Sequence, residues 1–434
     1  MKNIISLIKM ANVMKIKRHL NSTHFTIPKF IFAALFAMII LTGCNEEDKI
    51  TSLWNGDYTA SPAPVITSLA PANQGLAGVT AITIIGENFS EIKENNLVFF
   101  NGYKASVLEA SPTRIIIRAP QIVSDSLIIK IAVHGSLYFS EGHSYKLKPS
   151  VEEYYSFDTQ LGEIPWGVTL DALGNLYVSL EGKNISKIKT DKSMSVWAPK
   201  GIETKWNSLQ FGPNSTIYGA KLLRGIWKIT ENTAPTNAPW VTSPSGSSIS
   251  DMDFDNALNL WAVGTNSNLT NNSIVVMKPD GTLKPYSFPN KLTTVRYYNS
   301  YLYFSGLIDG KESVWRAIVV NDSLGTPELY FNYSDNVHPS STINALTFAE
   351  DGDLYIATNK TEDPVTIVHL DGSFEPLYPG NFEPNTNIVT MCWGNDEILF
   401  MTRAEYSVGG VIKLKQTILA VNMEKRGAIY HGRN

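Results

Sequence analysis

The feature that most constrains this chain is a repeat in its last two-thirds. A Leu or Ile followed by an aromatic residue, or once by leucine, recurs six times, at Leu176-Tyr177, Ile217-Tyr218, Leu260-Trp261, Leu302-Tyr303, Leu354-Tyr355 and Ile398-Leu399. The intervals are 41, 43, 42, 52 and 44 residues. A period of about 40–50 residues with short strands is typical of a β-propeller, whose blades stack because one blade cannot bury both its faces. The repeat therefore predicts an all-β domain of six blades over residues 148–434.

The segments around each pair support this interpretation. Apolar residues alternate on the first strand of a unit, as at Val168 and Leu170, and a polar turn follows. The stretch from Pro165 to Val178 resembles an NHL-type repeat. A ring must close to cover two bare sheet edges, so residues 152–157 or 427–431 should add the outermost strand of the last blade. The sequence leaves both alternatives open.

Residues 64–147, which precede the repeats, predict a second, smaller β domain. Strand-like runs occur at residues 82–85, 97–100, 114–118 and 127–133, and the second ends at Asn101-Gly102, a strong hairpin signal. Short strands with turns every 10–15 residues or so predict an immunoglobulin-like sandwich.

These residues also carry a family resemblance. Residues 64–66, 82–89, 98–102 and 111–113, with Ala119-Pro120, resemble an IPT/TIG domain, and the likeness extends over residues 64–147. The resemblance implies a spacer or interaction platform that brings no catalytic residues. The whole chain is thus expected to be an Ig-like IPT/TIG sandwich followed by a six-bladed propeller.

The first 43 residues have the pattern of an export signal. Six basic and no acidic side chains precede a twelve-residue apolar run at positions 30–41, too short to span a bilayer as a helix. Leu41-Thr42-Gly43-Cys44 resembles the lipobox of bacterial lipoproteins, which implies that Cys44 is lipidated and becomes the first mature residue. Residues 1–43 are then a signal peptide and 44–63 a lipidated tether. Its acids at positions 46–48 resemble the tag of outer-face lipoproteins of the cell outer membrane.

Composition excludes several classes of protein. Two cysteines in 434 residues exclude a disulfide scaffold and Cys-rich zinc domains. Beyond residue 43 the chain has 30 basic and 40 acidic side chains, a charge that disfavours nucleic acid. Cys392, in an apolar run without a neighbouring histidine, is expected to be a buried, inert thiol.

No high-specificity catalytic motif is present in the sequence. The best candidate is the alternating set Asp251, Asp253 and Asp255, whose carboxylates would lie on one side of a first strand. Asp255 aligns with Asp171 and is expected to be a turn residue, whereas Asp253 aligns with Arg296 and is expected to pair with it. No cofactor is predicted, and calcium bound near Asp251 is the alternative.

The rim at which the first strands begin is predicted to bind a ligand. Aromatic rings beside amide and charged groups suit sugar faces or peptide groups. The predicted ligand-binding residues are Trp166, Trp206, Asn207, Asp251, Arg296 and Asn344.

The layout of the whole chain resembles accessory lipoproteins that accompany outer-membrane nutrient-uptake channels. That resemblance implies a surface-exposed protein, held in the outer membrane by its lipid, that captures a glycan or peptide for a TonB-dependent uptake channel. A propeller hydrolase or lyase acting on polysaccharide, and a structural or assembly lipoprotein without a soluble ligand, are the alternatives.

Overall fold

The structure is a computed structural model that describes residues 59–202, 205–266, 273–288 and 291–433. Cys44, the predicted signal peptide and most of the predicted tether lie outside these residues. In the part of the chain that is described, no helix is both long and apolar enough to cross a bilayer.

The first domain is a sandwich of two sheets. Its strands are β1 (Val65–Ala70), β2 (Gln74–Leu76), β3 (Ala81–Glu87), β4 (Asn96–Phe100), β5 (Tyr103–Lys104), β6 (Ser106–Ser111), β7 (Arg114–Arg118), β8 (Ser124–Val133) and β9 (His143–Lys148). One sheet has the strand order β1-β3-β7-β6 and the other β2-β9-β8-β4-β5, in which β2 and β9 are parallel.

Period-two alternation builds the core of this sandwich. Ile82 and Ile84 on β3 pack with Ile115 and Ile117 on β7, and all four are fully buried. The intervening residues on both strands are less buried. The sequence pattern therefore fixes which face of each strand turns inward.

The second domain is a six-bladed propeller, so the predicted fold class is confirmed. The described residues of this domain form six sheets of at least four strands, numbered here as blades in chain order. Blade 1 has β11 (Pro165–Leu170), β12 (Leu176–Leu180), β13 (Ile185–Ile188) and β14 (Met194–Ala198), and blade 2 has β15 (Ser208–Gly212), β16 (Thr216–Ala220), β17 (Gly225–Ile229) and β18 (Val241–Thr242). Blade 3 has β19 (Ser247–Phe254), β20 (Leu260–Asn266), β21 (Ile274–Met277) and β22 (Leu283–Tyr286), and blade 4 has β23 (Lys291–Tyr298), β24 (Tyr301–Ile308), β25 (Lys311–Val320), β26 (Ser323–Leu324) and β27 (Glu328–Asn332). Blade 5 has β28 (Ile343–Phe348), β29 (Leu354–Thr358), β30 (Val365–Val368) and β31 (Phe374–Pro376), and blade 6 has β32 (Ile388–Trp393), β33 (Ile398–Arg403), β36 (Thr417–Asn422) and the closing strand described below.

Two additions complete the propeller. A short helix, α1 (Tyr333–Asn336), follows blade 4, and its Asn332 caps it by accepting a hydrogen bond from the Asp335 backbone N–H. A hairpin of β34 (Tyr406–Val408) and β35 (Val411–Leu414) is inserted between the second and third strands of blade 6.

The ring is closed by a strand from its own beginning. Strand β10 (Val151–Glu153) pairs with β36 as the outermost strand of blade 6, with Glu152 opposite Ala420. Two ion pairs support this ladder. Arg403 Nη2 lies 3.2 Å from Glu153 Oε1, and Arg403 Nη1 lies 2.6 Å from Glu383 Oε2. Of the two segments that the sequence left open, the N-terminal one closes the ring.

The C-terminal segment, residues 426–433, has a different place. Gly427 lies so close to Trp393 that a Cβ there would be 2.1 Å from the indole Cγ, which only glycine avoids. Tyr430 then reaches the propeller axis, where its hydroxyl is 2.7 Å from Thr347 Oγ1. The segment covers the end of the axis opposite the strand starts, because Thr347 and Trp393 lie near the ends of their inner strands.

The sandwich and the propeller are joined without a long linker. Only residues 149–150 separate β9 from β10, and Asn422 Nδ2 donates to Pro149 O (2.9 Å). Gln121 of the sandwich donates to Gly380 O (2.7 Å), and the hydroxyl of Thr80 contacts the carboxylate of Glu424. These contacts tie the two domains together at the last two blades.

Candidate functional site

The site is the face of the propeller at which the six inner strands begin, which we call the top face. In the described residues, the inner strands of five blades carry a β-bulge close to their first paired residues. The inner strand of blade 2 has no bulge. A bulge inserts a residue that the partner strand does not match, and so it re-aims a side chain. We call the half-buried residues at these bulges, together with the equivalent residue of blade 2, the mouth ring: Trp166, Asn207, Ser250, Thr293, Asn344 and Val389.

Below the mouth ring, polar side chains tie neighbouring blades together. Thr169 accepts from the Phe211 N–H (2.9 Å), and Gln210 donates to Met252 O (2.6 Å). This axial layer is Thr169, Gln210, Asp253, Arg296, Thr347 and Cys392, the positions that the repeat aligns. Its buried polar groups are therefore used mainly in holding the ring together.

Asp251 is the most heavily bonded carboxylate at the axis. Its oxygens accept from Ser208 Oγ (2.9 Å), Thr294 Oγ1 (2.7 Å), the Val295 N–H (3.2 Å) and Arg296 Nη1 (2.8 Å). Three of these donors bond to Oδ2 and one, Ser208, bonds to Oδ1. Asp251 therefore joins blades 2, 3 and 4, and most of its acceptor positions are used inside the protein.

Arg296 pairs with Asp251, which corrects the expected pairing with Asp253. Arg296 is buried, and its second amino group donates to Met391 O across the axis (3.3 Å). Asp253 instead accepts from the Tyr297 backbone N–H (2.8 Å). Arg296 therefore lies inside the axial layer, and the prediction that it lies on a ligand-binding rim is corrected as well.

Burial raises the pKa of Asp253 to about 6, although the Arg296 guanidinium and the Tyr297 N–H lower it. Burial also raises the pKa of the Cys392 thiol, despite the nearby Arg433 and Arg296 guanidinium groups. Both groups are enclosed, and Cys392 is buried as the sequence predicted.

The axis itself has little free space. The cavity lined by Asn207, Asp251, Arg296 and Tyr430 has a volume of about 20 Å³. That is room for about one water molecule. A ligand larger than water must therefore remain at the mouth ring and the loops around it.

Trp206 does not belong to this rim. It is 2% exposed, and its ring packs edge-to-face on Trp227 with centroids 5.5 Å apart. Counting back from Thr169 and Gln210, Trp206 is equivalent to Pro165 and not to Trp166. Because side chains alternate along a strand, the indole turns into the interface between blades 1 and 2. The prediction of Trp206 as a ligand contact is corrected on this ground.

Trp166 is half-buried and lies between two charged side chains. Its Nε1 donates to Glu181 Oε2 (2.8 Å), and Lys205 Nζ is 3.2 Å from the ring centroid. A cation over an indole face is held by the ring quadrupole. Lys221 similarly lies 4.4 Å from the centroid of the Trp227 ring. The top of blades 1 and 2 thus presents an indole, two ammonium groups and a carboxylate.

The remaining predicted residues have distinct places. Asn207 and Asn344 are in the mouth ring, and Asn344 Nδ2 donates to Asn387 Oδ1 and Ile388 O (both 2.8 Å). Lys205, Thr293 and Tyr430 were not predicted as site residues. Thr293 could have been found by counting from the aligned axial layer, whereas the sequence carries no signal that places Tyr430 at the axis.

The acids of the third unit do not form a metal centre. Asp255 is a turn residue that accepts from the Asn259 N–H (2.8 Å) and Trp261 Nε1 (2.9 Å), as Asp171 does from Asn175 and Tyr177. Among the described residues there is no group of three or more His, Cys, Asp or Glu side chains arranged to hold a metal ion.

Comparison with known proteins identifies part of the chain. Residues 64–146 match the family model of the IPT/TIG domain. No curated protein matches the chain.

Several solved structures are similar in fold. A putative phosphatase from Bacteroides thetaiotaomicron has a TM-score of 0.50 at 13% identity, covering 85% of this chain and 99% of its own. Auxiliary nutrient binding proteins from Bacteroides thetaiotaomicron and Bacteroides ovatus have TM-scores of 0.43 and 0.42 at 12% and 11% identity. They cover 84% and 79% of this chain, and 99% and 96% of their own. At such identities the likeness concerns the fold and not the ligand.

Proposed function

We propose that this chain is a lipid-anchored cell-surface protein whose propeller captures a glycan or peptide on its top face. The partner would be an outer-membrane uptake system, with a TonB-dependent channel as the receiving component. The observation that carries this proposal is the contrast between the axis and the mouth. The axial carboxylates are enclosed and paired with donors of the protein, whereas the mouth ring offers half-buried polar groups beside an indole.

Such a surface suits retention of a ligand better than its chemical conversion. General acid or base catalysis needs a group within hydrogen-bond reach of the substrate. Asp253 is buried below the mouth ring, and the cavity that it lines has a volume of about 10 Å³, room for no more than one water molecule. The indole of Trp166 covers apolar C–H surface, while Lys205, Glu181 and Asn207 orient polar groups.

Ligand binding is tested with the chain from residue 45 to 434. Trp166→Ala should weaken binding to the best ligand of a glycan and peptide panel by at least about tenfold, because central aromatic anchors dominate binding sites. Isothermal titration measures the affinity, and product analysis of the same mixtures detects any turnover.

Trp240→Ala is the matched control for this experiment. Trp240 is also half-buried and carries a lysine on its ring, with Lys228 Nζ at 3.9 Å, but it lies near the outer edge of blade 2. Its loss should leave affinity unchanged. Equal effects of the two substitutions, or turnover of a polysaccharide, would contradict capture at the mouth ring.

The proposed anchor is tested separately in cells. Cys44→Ala should move nearly all of the protein from the membrane fraction to the soluble fraction. Several acyl chains hold a protein firmly on a bilayer, whereas a tether without lipid does not. Membrane fractionation measures this, and Cys392→Ala is the control because that thiol is buried in the propeller. Palmitate labelling that persists in Cys44→Ala would refute the assignment.

A further inference from the structure

One end of the sandwich exposes three consecutive large apolar side chains. Leu137, Tyr138 and Phe139 follow β8 and are 68%, 73% and 54% exposed. We call these three residues the apolar loop. Soluble proteins seldom leave adjacent large apolar residues in water unless a partner covers them.

The backbone of this loop is held in place, so the exposure is built into the fold. Ser136 N–H donates to Val133 O (2.9 Å), and Ser140 N–H donates to Ile131 O (2.8 Å). The Ser140 hydroxyl also accepts from the Ile131 N–H (2.9 Å). Phe139 rests on Phe99, with ring centroids 6.2 Å apart. The loop therefore presents its side chains from a fixed platform.

The predicted tether reaches the sandwich at the same loop. Ser61 N–H donates to Gly135 O (2.8 Å), and Ser61 forms a parallel bridge with Ser136. Sixteen residues separate Cys44 from Ser61 in the sequence. Sixteen residues span at most about 53–58 Å, even when fully extended. A membrane that holds Cys44 by its lipid therefore lies no farther than this from Ser61.

We propose that the apolar loop docks on the lipid bilayer, as a second contact beside the lipid on Cys44. This inference rests on the anchor of the proposed function. Tyr and Phe favour the interface between headgroups and acyl chains, and Leu favours the acyl region. The tether raises the effective concentration of the loop at the membrane, so a weak contact is sufficient.

The charges at this end of the sandwich favour an apolar contact over an electrostatic one. The exposed acids here are matched in number by exposed lysines: Glu91, Glu94 and Glu141 against Lys93, Lys104 and Lys130. A surface without an excess of positive charge gains little from anionic headgroups. Binding through the apolar loop should consequently survive on zwitterionic lipid and at high salt.

Vesicle flotation tests the inference without the anchor. The chain from residue 45 to 434, which contains the compact unit Ala60–Asn434, is mixed with phosphatidylcholine vesicles at millimolar lipid. The variant Leu137→Ser/Tyr138→Ser/Phe139→Ser should partition at least about tenfold less than the unaltered chain, at both low and about 0.5 M salt. A variant of three exposed residues on blades 1 and 4, Val196→Ser/Val320→Ser/Leu329→Ser, is the matched control and should partition within about twofold of the unaltered chain.

Equal flotation of the loop variant and the unaltered chain overturns the proposal. Absence of vesicle binding by the unaltered chain also overturns it and assigns the loop to a protein partner. Because these chains lack Cys44, the result does not depend on lipidation. Failure of the anchor is seen only in the Cys44→Ala fractionation, so the two outcomes are distinguishable.

Discussion

Trp206→Ala is expected to lower the free energy of unfolding by about 3–5 kcal/mol, the range for truncating a large buried aromatic residue. Trp206 fills the interface between blades 1 and 2, where Trp227 packs on its ring. Gly219 leaves room for the indole, since a Cβ there would be 2.7 Å from Trp206 Cε3. Strands β16 and β17, which carry Gly219 and Trp227, are each paired on both sides and cannot collapse into the resulting cavity. Urea unfolding followed by circular dichroism measures the change.

Two further substitutions serve as comparisons for Trp206→Ala. Trp206→Phe keeps a ring in the interface and should lose less than half as much stability. Trp166→Ala, at a half-buried position on the mouth ring, should lose about 1 kcal/mol or less. If Trp206→Ala unfolds at the same denaturant concentration as the unaltered chain, the indole does not support the interface as described.

Arg296→Ala is expected to destabilise the propeller by about 3–5 kcal/mol at pH 8, because it leaves buried carboxylates without a counter-charge. Asp251 loses its ion pair, which joins atoms 2.8 Å apart. Asp253 loses the positive charge that lowers its pKa. The bond from Arg296 to Met391 O across the axis is also lost.

The stability lost in Arg296→Ala should depend on pH. The pKa of Asp253 is about 6 in the folded protein and lies near 4 in an unfolded chain, so the folded state binds the proton more tightly. Stability therefore falls as pH rises from about 4 to 6 in the unaltered protein. Without Arg296 the folded pKa rises further and this fall continues to higher pH. The loss of stability in Arg296→Ala should consequently be smaller at pH 5 than at pH 8.

The conservative variants separate charge from packing in this experiment. Arg296→Lys keeps the positive charge and should recover part of the stability. Arg296→Ala/Asp253→Asn removes the titrating group, so the added pH dependence should disappear. A deficit in Arg296→Ala that is equal at pH 5 and pH 8 would show that Asp253 does not titrate as stated.

Much of the fold could be predicted because its determinants are local. The repeat places an apolar residue every second position on each inner strand, as at Leu346 and Phe348, and both are buried. Asp255 could be identified as a turn residue because its partners, Asn259 and Trp261, are close in sequence. The IPT/TIG resemblance likewise rested on strands and turns that lie within one continuous segment.

The site was predictable only in part because bulges and register act at the level of single residues. A shift of one position turns a side chain to the other face, which is why Trp166 lies at the mouth and Trp206 does not. Arg296 pairs with Asp251, two residues before the aligned Asp253, and alignment of the repeats does not show which of the two carboxylates the guanidinium reaches. Ring closure by β10 depends on where two distant ends meet, which no local pattern records.

Closure by β10 has a consequence for how the protein is made. Val151–Glu153 leaves the ribosome long before its partner Thr417–Asn422. Until then the newly made propeller has one unsatisfied sheet edge, and the finished sandwich beside it has no final blade to contact. Such an open edge can pair with other chains, so the interval between the two strands is the stage at which chaperones would most affect yield.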